Sequence, residues 1–176
     1  MYAEHVSAIA AYLRARTDRE SAVDALARTF EIAWRRLPDV PELPRPWLFG
    51  VARRVLADQR RSAGRRDSLV ERIGETLRET ADDHADTLGD RQALLTALGE
   101  LRPLSLEALL LVTWDGLSLR EAAAVLGCSA GALGVRVHRA RRQLRAAIAQ
   151  NDVSHPERPV GSVVAGSESC SPKGAL

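Results

Sequence analysis

The run from Leu117 to Leu144, LSLREAAAVLGCSAGALGVRVHRARRQL, constrains this chain more than any other stretch. Ser118 and Glu121 stand at capping-box spacing, so the serine hydroxyl can accept from the backbone near Glu121 while the glutamate reaches back to the Ser118 N–H. A short helix is predicted to follow, with Ala122, Ala123, Val125 and Leu126 as its apolar face. Gly127-Cys128-Ser129 ends it: glycine supplies the positive-φ position of a helix C-terminus, and Ser129 caps the next helix. There Leu133, Val137, Ala140 and Leu144 recur at helical spacing and form one stripe for burial. Ser129, Val135, Arg136, Arg139 and Arg142 lie opposite. Two helices joined by a tight glycine turn, the second longer and basic outside, read as a helix-turn-helix.

Charge supports that reading. Between Arg120 and Arg145 six arginines (120, 136, 139, 141, 142 and 145) face a single acid, Glu121, for a local balance of +5. Such a face is an electrostatic footprint for a phosphate backbone. The plainer alternative is a solvated basic helix that packs on an acidic partner.

The rest of the chain follows the same helical grammar. Val6, Ile9, Ala10 and Leu13 share one face of a first helix, and Thr17 and Glu20 have capping-box spacing for a second. On that second helix Val23, Leu26, Phe30, Ala33, Trp34 and Leu37 fall on one side, and the aromatics among them are expected mainly in the core. PDVPELPRP, from Pro38 to Pro46, cannot be helical throughout. Pro46 is suited to the first helical position of the next segment, whose inner face is Leu48, Val51, Ala52, Val55 and Leu56. Arg53 to Arg66 then holds six arginines and one acid, Asp58, again a balance of +5. At Asp67 the composition inverts: eight acids against two arginines up to Asp90. This stretch reads as an acidic interdomain linker with some helix in it. A second helical unit starts near Arg91, with Leu94, Leu98 and Leu101 on a stripe that Pro103 stops. Ser105 is placed to cap an apolar helix from Leu106 to Trp114, and Asp115-Gly116 turns into the helix-turn-helix. No strand alternation is present, so the fold class is all-α: two small helical bundles joined by an acidic linker, the C-terminal one a helix-turn-helix. The units are residues 1–66, a linker at 67–90, residues 91–150, and a tail at 151–176 expected to be disordered.

Several function classes fall away. Neither a phosphate-binding loop nor a base–orienter pair of histidines is present, so no catalytic set and no cofactor are expected. Asp82, Asp83, His84 and Asp86 are adjacent ligands on a linker, a poor metal cage, and no metal is expected. Cys128 and Cys170 make no CxxC pair, and Cys128 reads as a small buried thiol. No apolar run is long enough to span a bilayer and no signal peptide opens the chain, so it is expected to be cytoplasmic, without membrane insertion. Trp47, between a proline-rich loop and a basic helix, can either stack a base of single-stranded nucleic acid or cover the local core.

These segments together resemble a bacterial RNA polymerase sigma factor of the extracytoplasmic-function type, a member of the sigma-70 family. DALARTFEIAWRRL (Asp24 to Leu37) is similar to the family's second-region helix that docks on the polymerase clamp. PRPWLFGVARRVLADQRR (Pro44 to Arg61) is similar to the loop and helix that melt and read the minus-ten promoter element. Leu101 to Leu144 resembles the fourth-region helix-turn-helix that reads the minus-thirty-five element. The likeness runs in order from Tyr2 to Ile148.

The resemblance implies a transcription initiation factor whose partners are core RNA polymerase and promoter DNA, with an anti-sigma factor that buries both DNA-binding faces and a monomeric free state. It carries polymerase binding onto Asp24, Leu26, Arg28, Thr29, Phe30 and Trp34, with Asp24 as a surface contact and Leu26 and Phe30 largely structural. It carries the minus-ten role onto Asp39, Arg45, Trp47, Arg53, Arg54, Asp58, Arg60 and Arg61, where the loop from Asp39 to Arg45 would hold a flipped base and the arginines would clamp the backbone. It carries the minus-thirty-five role onto Arg120, Ser129, Val135, Arg136, His138, Arg139 and Arg142, with Arg136 for a base or nearby phosphate and Arg139 for phosphate. The acidic linker is expected to thread the polymerase's basic RNA-exit channel.

The chain departs from the family pattern in three places. Ala27-Arg28 stands where Gln-Glu is common, and Ala132, Gly134 and Val135 stand where Thr, Lys and Ser are common. Side-chain hydrogen bonds to bases are therefore fewer, and promoter reading leans on shape and phosphate contacts. The start lies almost inside the first helix. Two rivals follow: a stand-alone helix-turn-helix regulator, which predicts a homodimer on palindromic half-sites, and a degenerate sigma factor that acts only as an interaction partner.

Overall fold

The computed structural model describes residues 2–63, 70, 73–74 and 86–154, and it is helical throughout those residues. Helix α1 spans Tyr2–Arg14, α2 Arg19–Arg35 and α3 Pro44–Ala63, with a 3-10 turn at Leu37–Asp39 between the last two. The second unit comprises α4 (Asp86–Gly99), α5 (Pro103–Thr113), α6 (Leu119–Leu126) and α7 (Ala130–Ser154).

The first unit is a three-helix bundle in which α1, α2 and α3 all touch one another. Its core holds Ile9, Tyr12, Leu13, Leu48, Phe49 and Ala52, with the rings of Tyr12 and Phe49 edge to face at 5.1 Å. Asp18, one residue after the expected Thr17, caps α2, its carboxylate accepting from Ser21 N–H at 2.9 Å. Helix α3 starts at Pro44 rather than Pro46. Both prolines fall within the first turn, where an N–H would have no intrahelical acceptor, so neither breaks the helix.

The expected inner face of α2 is rotated. Ala22, Ala25, Thr29 and Ala33 are buried, whereas Val23 and Trp34 are 61% and 78% exposed and Leu37 is also exposed. Small residues permit close approach to α1 and α3, and this excludes the larger apolar side chains from the contact.

In the second unit α7 packs on α4, α5 and α6. Leu98 and Leu101 are buried as the stripe requires, and the α5 core is Leu106, Ala108, Leu109, Leu110 and Leu111. Ser105 is not the cap of α5: the helix begins at Pro103 with Arg102 at the cap position and no side-chain cap bond. Proline at the first helical position supplies the start by its fixed φ. Helix α4 begins at Asp86, inside the stretch read as linker, and α7 continues to Ser154. Ile73, from that same acidic stretch, is buried in the core. The two units are not separate bodies. Helix α3 packs against α6, and one continuous cluster of buried side chains runs through both. The proposed ligands Asp82, Asp83 and His84, together with Cys170 and the tail from His155, lie outside the described residues.

Candidate nucleic-acid and polymerase interfaces

The helix-turn-helix is assembled from the caps anticipated for it. Ser118 Oγ accepts from Glu121 N–H at 3.2 Å, and the Glu121 carboxylate accepts from Ser118 N–H at 2.8 Å. That backbone hydrogen bond holds the Glu121 carboxyl below the usual carboxylate range. Gly127 closes α6 at φ +67°, and its N–H donates to the carbonyls of Ala123 and Ala124. Ser129 Oγ then accepts from Ala132 N–H at 3.2 Å to open α7. Leu133, Val137 and Ala140 are buried against α4, α5 and α6. The opposite face of α7 shows Ser129, Val135, His138, Arg139 and Arg142 to solvent, with Arg136 half-buried and Arg120 exposed on α6. A helix with its core stripe anchored and its basic face free can enter a major groove. Cys128 is half-buried in the turn, packed against the core.

A second surface lies on α2. Asp24, Arg28 and Trp34 are exposed, Phe30 is half-buried with Tyr2 edge-on to it at 4.6 Å, and Leu26 packs on the core. Arg28 and Arg35 both reach Glu31 at 2.7 Å, and the Arg28 hydrogen bond pulls the Glu31 carboxyl down from its ordinary range. Thr29 is a correction: it is fully buried and its hydroxyl donates to Ala25 C=O at 2.7 Å, so it serves helix packing and has no surface to offer a partner. Val23 and Leu37 were missed as surface residues. Their spacing with Trp34 was visible, but the small residues opposite them were the better indicator of burial.

The third surface is α3 and the loop before it. Asp39 accepts from Arg36 Nε at 3.1 Å, both exposed. Arg54 is exposed, and Arg61 pairs with Asp58 one turn earlier. Arg60 donates to the carbonyl of Arg16 at 2.9 Å. Trp47 is half-buried against the core, which favours its covering role over a free stacking platform. Arg45 and Arg53 face the second unit. Arg53 makes a two-pronged bond to the Glu107 carboxylate at 2.7 and 3.1 Å, and Arg45 donates to the carbonyls of Asp115 at 2.9 Å and Gly116 at 3.3 Å. Beside them Arg16, absent from every sequence-based set, grips the Asp115 carboxylate at 2.6 and 3.3 Å and lies over the Tyr12 ring at 3.8 Å. Burial pushes the Asp115 carboxyl upward despite that arginine, and it pushes the Tyr12 phenol up to about 12. Among the described residues no three His, Cys, Asp or Glu side chains gather as metal ligands, and no helix is long and apolar enough to cross a membrane.

Residues 91–144 match the family described as sigma-70, region 4. The chain is 34% identical over 140 residues to the ECF RNA polymerase sigma factor SigC of Mycobacterium tuberculosis, covering 78% of this chain and 76% of that one. It is 30% identical over 151 residues to SigL of the same species, 82% of this chain and 85% of the relative. Among solved structures it is similar to CnrH in complex with the cytosolic domain of CnrY, with a TM-score of 0.57 and 28% identity over 85% of each chain. It is also similar to RpoE in complex with the anti-sigma factor NepR from Bartonella quintana, with a TM-score of 0.58 and 25% identity over 84% of this chain and 94% of that chain.

Proposed function

The chain belongs to the ECF RNA polymerase sigma factors, and on that premise we propose that it binds core RNA polymerase, carries it to promoters and opens DNA at the minus-ten element. The polymerase performs the chemistry, and the factor works beside it in the cytoplasm. The observation that carries the reading is the similarity to SigC across both helical units rather than across the helix-turn-helix alone.

In this reading the exposed part of α2, with Asp24, Arg28 and Trp34, docks on the polymerase. Val23 and Leu37 extend that face. The loop at Asp39 and the arginines of α3 meet the minus-ten strand, where a positively charged groove tracks the backbone. Helix α7 enters the minus-thirty-five major groove with Arg136 toward a base or nearby phosphate and Arg139 on phosphate. Ala132 and Gly134 bring no hydrogen-bonding side chain to that groove, so backbone contacts and DNA shape carry more of the selectivity. An anti-sigma factor is the expected antagonist, since two structurally similar chains were solved with CnrY and with NepR. The free factor is a monomer.

The test is co-elution of the purified protein with core RNA polymerase, followed by transcription on genomic fragments from its own source. Start sites that depend on the protein support the reading. Co-elution without initiation favours a degenerate factor. Duplex binding without polymerase binding favours a stand-alone regulator.

A further inference from the structure

Three arginines of the first unit converge on one short stretch of the second. Arg16 takes the Asp115 carboxylate, Arg45 the carbonyls of Asp115 and Gly116, and Arg53 the Glu107 carboxylate. The Arg16 and Asp115 side chains are only 5% and 3% exposed, and those of Arg53 and Glu107 are 35% and 17% exposed. Gly116 adopts φ +66°, which turns its own carbonyl and that of Asp115 toward Arg45. The turn between α5 and α6 therefore presents carboxylate and carbonyl oxygens to the same guanidinium groups that the proposed function assigns to a phosphate backbone. Arginine is suited to such forked contacts with either kind of oxygen.

Size makes this arrangement consequential. The minus-thirty-five and minus-ten elements are named for positions about 25 base pairs apart, which is about 85 Å of duplex at about 3.4 Å per base pair. A chain of this length packed as one body has a radius of gyration of about 16 Å, hence a diameter of about 40 Å. With α3 packed on α6 the two reading surfaces cannot occupy both elements together. The exposed faces of α2 and α7 remain open in the same arrangement.

We propose that the free factor is self-closed: the α5–α6 turn, through Glu107, Asp115 and Gly116, holds Arg45 and Arg53 away from DNA until polymerase bound on α2 draws the units apart. This rests on the sigma reading for its DNA consequence, but the closure itself does not. In the closed form α7 can meet duplex, whereas α3 is withheld from single strand. Polymerase docking precedes minus-ten engagement, and free factor is kept from occupying melted DNA.

The test compares wild type with Glu107→Gln/Asp115→Asn and with a control of equal charge change at exposed positions of α1 and α2, Glu4→Gln/Glu20→Gln. Small-angle X-ray scattering of the full chain reads closure, and anisotropy of a fluorescein-labelled, mixed-sequence 20-nucleotide single strand reads access to α3. The expected result is a radius of gyration at least 5 Å larger for E107Q/D115N and strand binding about tenfold tighter, with the control unchanged in size and within threefold in binding. Equal size for E107Q/D115N and wild type, or strand binding no tighter than the control's, overturns the proposal. If E107Q/D115N loses helical circular dichroism, the charge exchange carries the test. Glu107→Arg alone must then expand the protein, and Arg53→Glu/Glu107→Arg must return it to the wild-type radius; failure of either overturns the proposal. Co-elution of wild type with core polymerase is scored separately, so a failed sigma reading and a failed closure are distinguishable.

Discussion

Arg16 and Asp115, ninety-nine positions apart in the chain, form a buried ion pair at 2.6 Å, and Arg16 also donates to the carbonyl of Tyr12 at 3.0 Å. Each would be an uncompensated buried charge without the other, and such a loss costs about 3–5 kcal/mol. Arg16→Met is therefore expected to lower the midpoint of urea unfolding strongly, whereas Arg16→Met/Asp115→Leu recovers most of it. A single-variant loss below about 1 kcal/mol would show that the pair is solvated in solution.

Tyr12 supplies a pH prediction. Its phenol ionises near 12 in the folded protein because burial disfavours the phenolate, against about 10 unfolded. The folded state thus keeps a proton that the unfolded state sheds, so stability is fully present below pH 10 and falls as pH rises toward 12. Tyr12→Phe should flatten that alkaline fall in urea titrations. An equal fall in the variant would place its cause elsewhere.

The capping box at Ser118 and Glu121 acts at the other end of the scale. Glu121 is depressed below 4.5 in the folded protein, so its contribution is present above that value and is lost as pH falls through the folded pKa. Glu121→Gln should show a smaller acid-side loss of stability than wild type. Ser118→Ala should cost about 1 kcal/mol at neutral pH, read by thermal unfolding.

Gly134 lies inside α7, where a Cβ would meet only Leu119 Cδ1 at 3.9 Å, an ordinary contact. Gly134→Ala should stabilise the protein by about 1 kcal/mol through helix propensity. A destabilised variant would show that α7 bends at this position in solution.

Trp34 and Arg136 separate the two proposed partners. Trp34→Ala should weaken core polymerase binding by about tenfold or more, as exposed tryptophans anchor interfaces, while stability moves by no more than about 0.5 kcal/mol. Arg136→Ala should weaken promoter-duplex binding and spare polymerase binding. Equal losses of both activities in either variant would assign that residue to folding rather than recognition.

Legibility along the chain followed the range of the forces involved. The caps at Ser118, Glu121 and Ser129 and the glycine end at Gly127 involve neighbours within four positions, and each forms as the residue order implies. The apolar stripes of α3 and α7 were readable for the same reason, as a periodicity of 3.6 leaves one face to bury. The inner face of α2 was not. Its apolar residues run wider than one stripe, and the small Ala22, Ala25 and Ala33 win the contact by allowing α1 and α3 to approach. The cap moved from Thr17 to Asp18 because both can accept a backbone hydrogen bond, and composition does not rank two adjacent acceptors.

By itself the sequence determined the helices, their ends, the helix-turn-helix and the placement of basic residues on α3 and α7, all set by interactions within a few turns of one chain segment. Only the tertiary structure decided that Arg45 and Arg53 face oxygen atoms of the second unit, and that Arg16 lies buried against Asp115. Those contacts join positions 54 to 99 residues apart. An arginine has the same local pattern whether its distant partner is a carboxylate, a carbonyl or a phosphate, so only the packing of α3 on α6 selects among them.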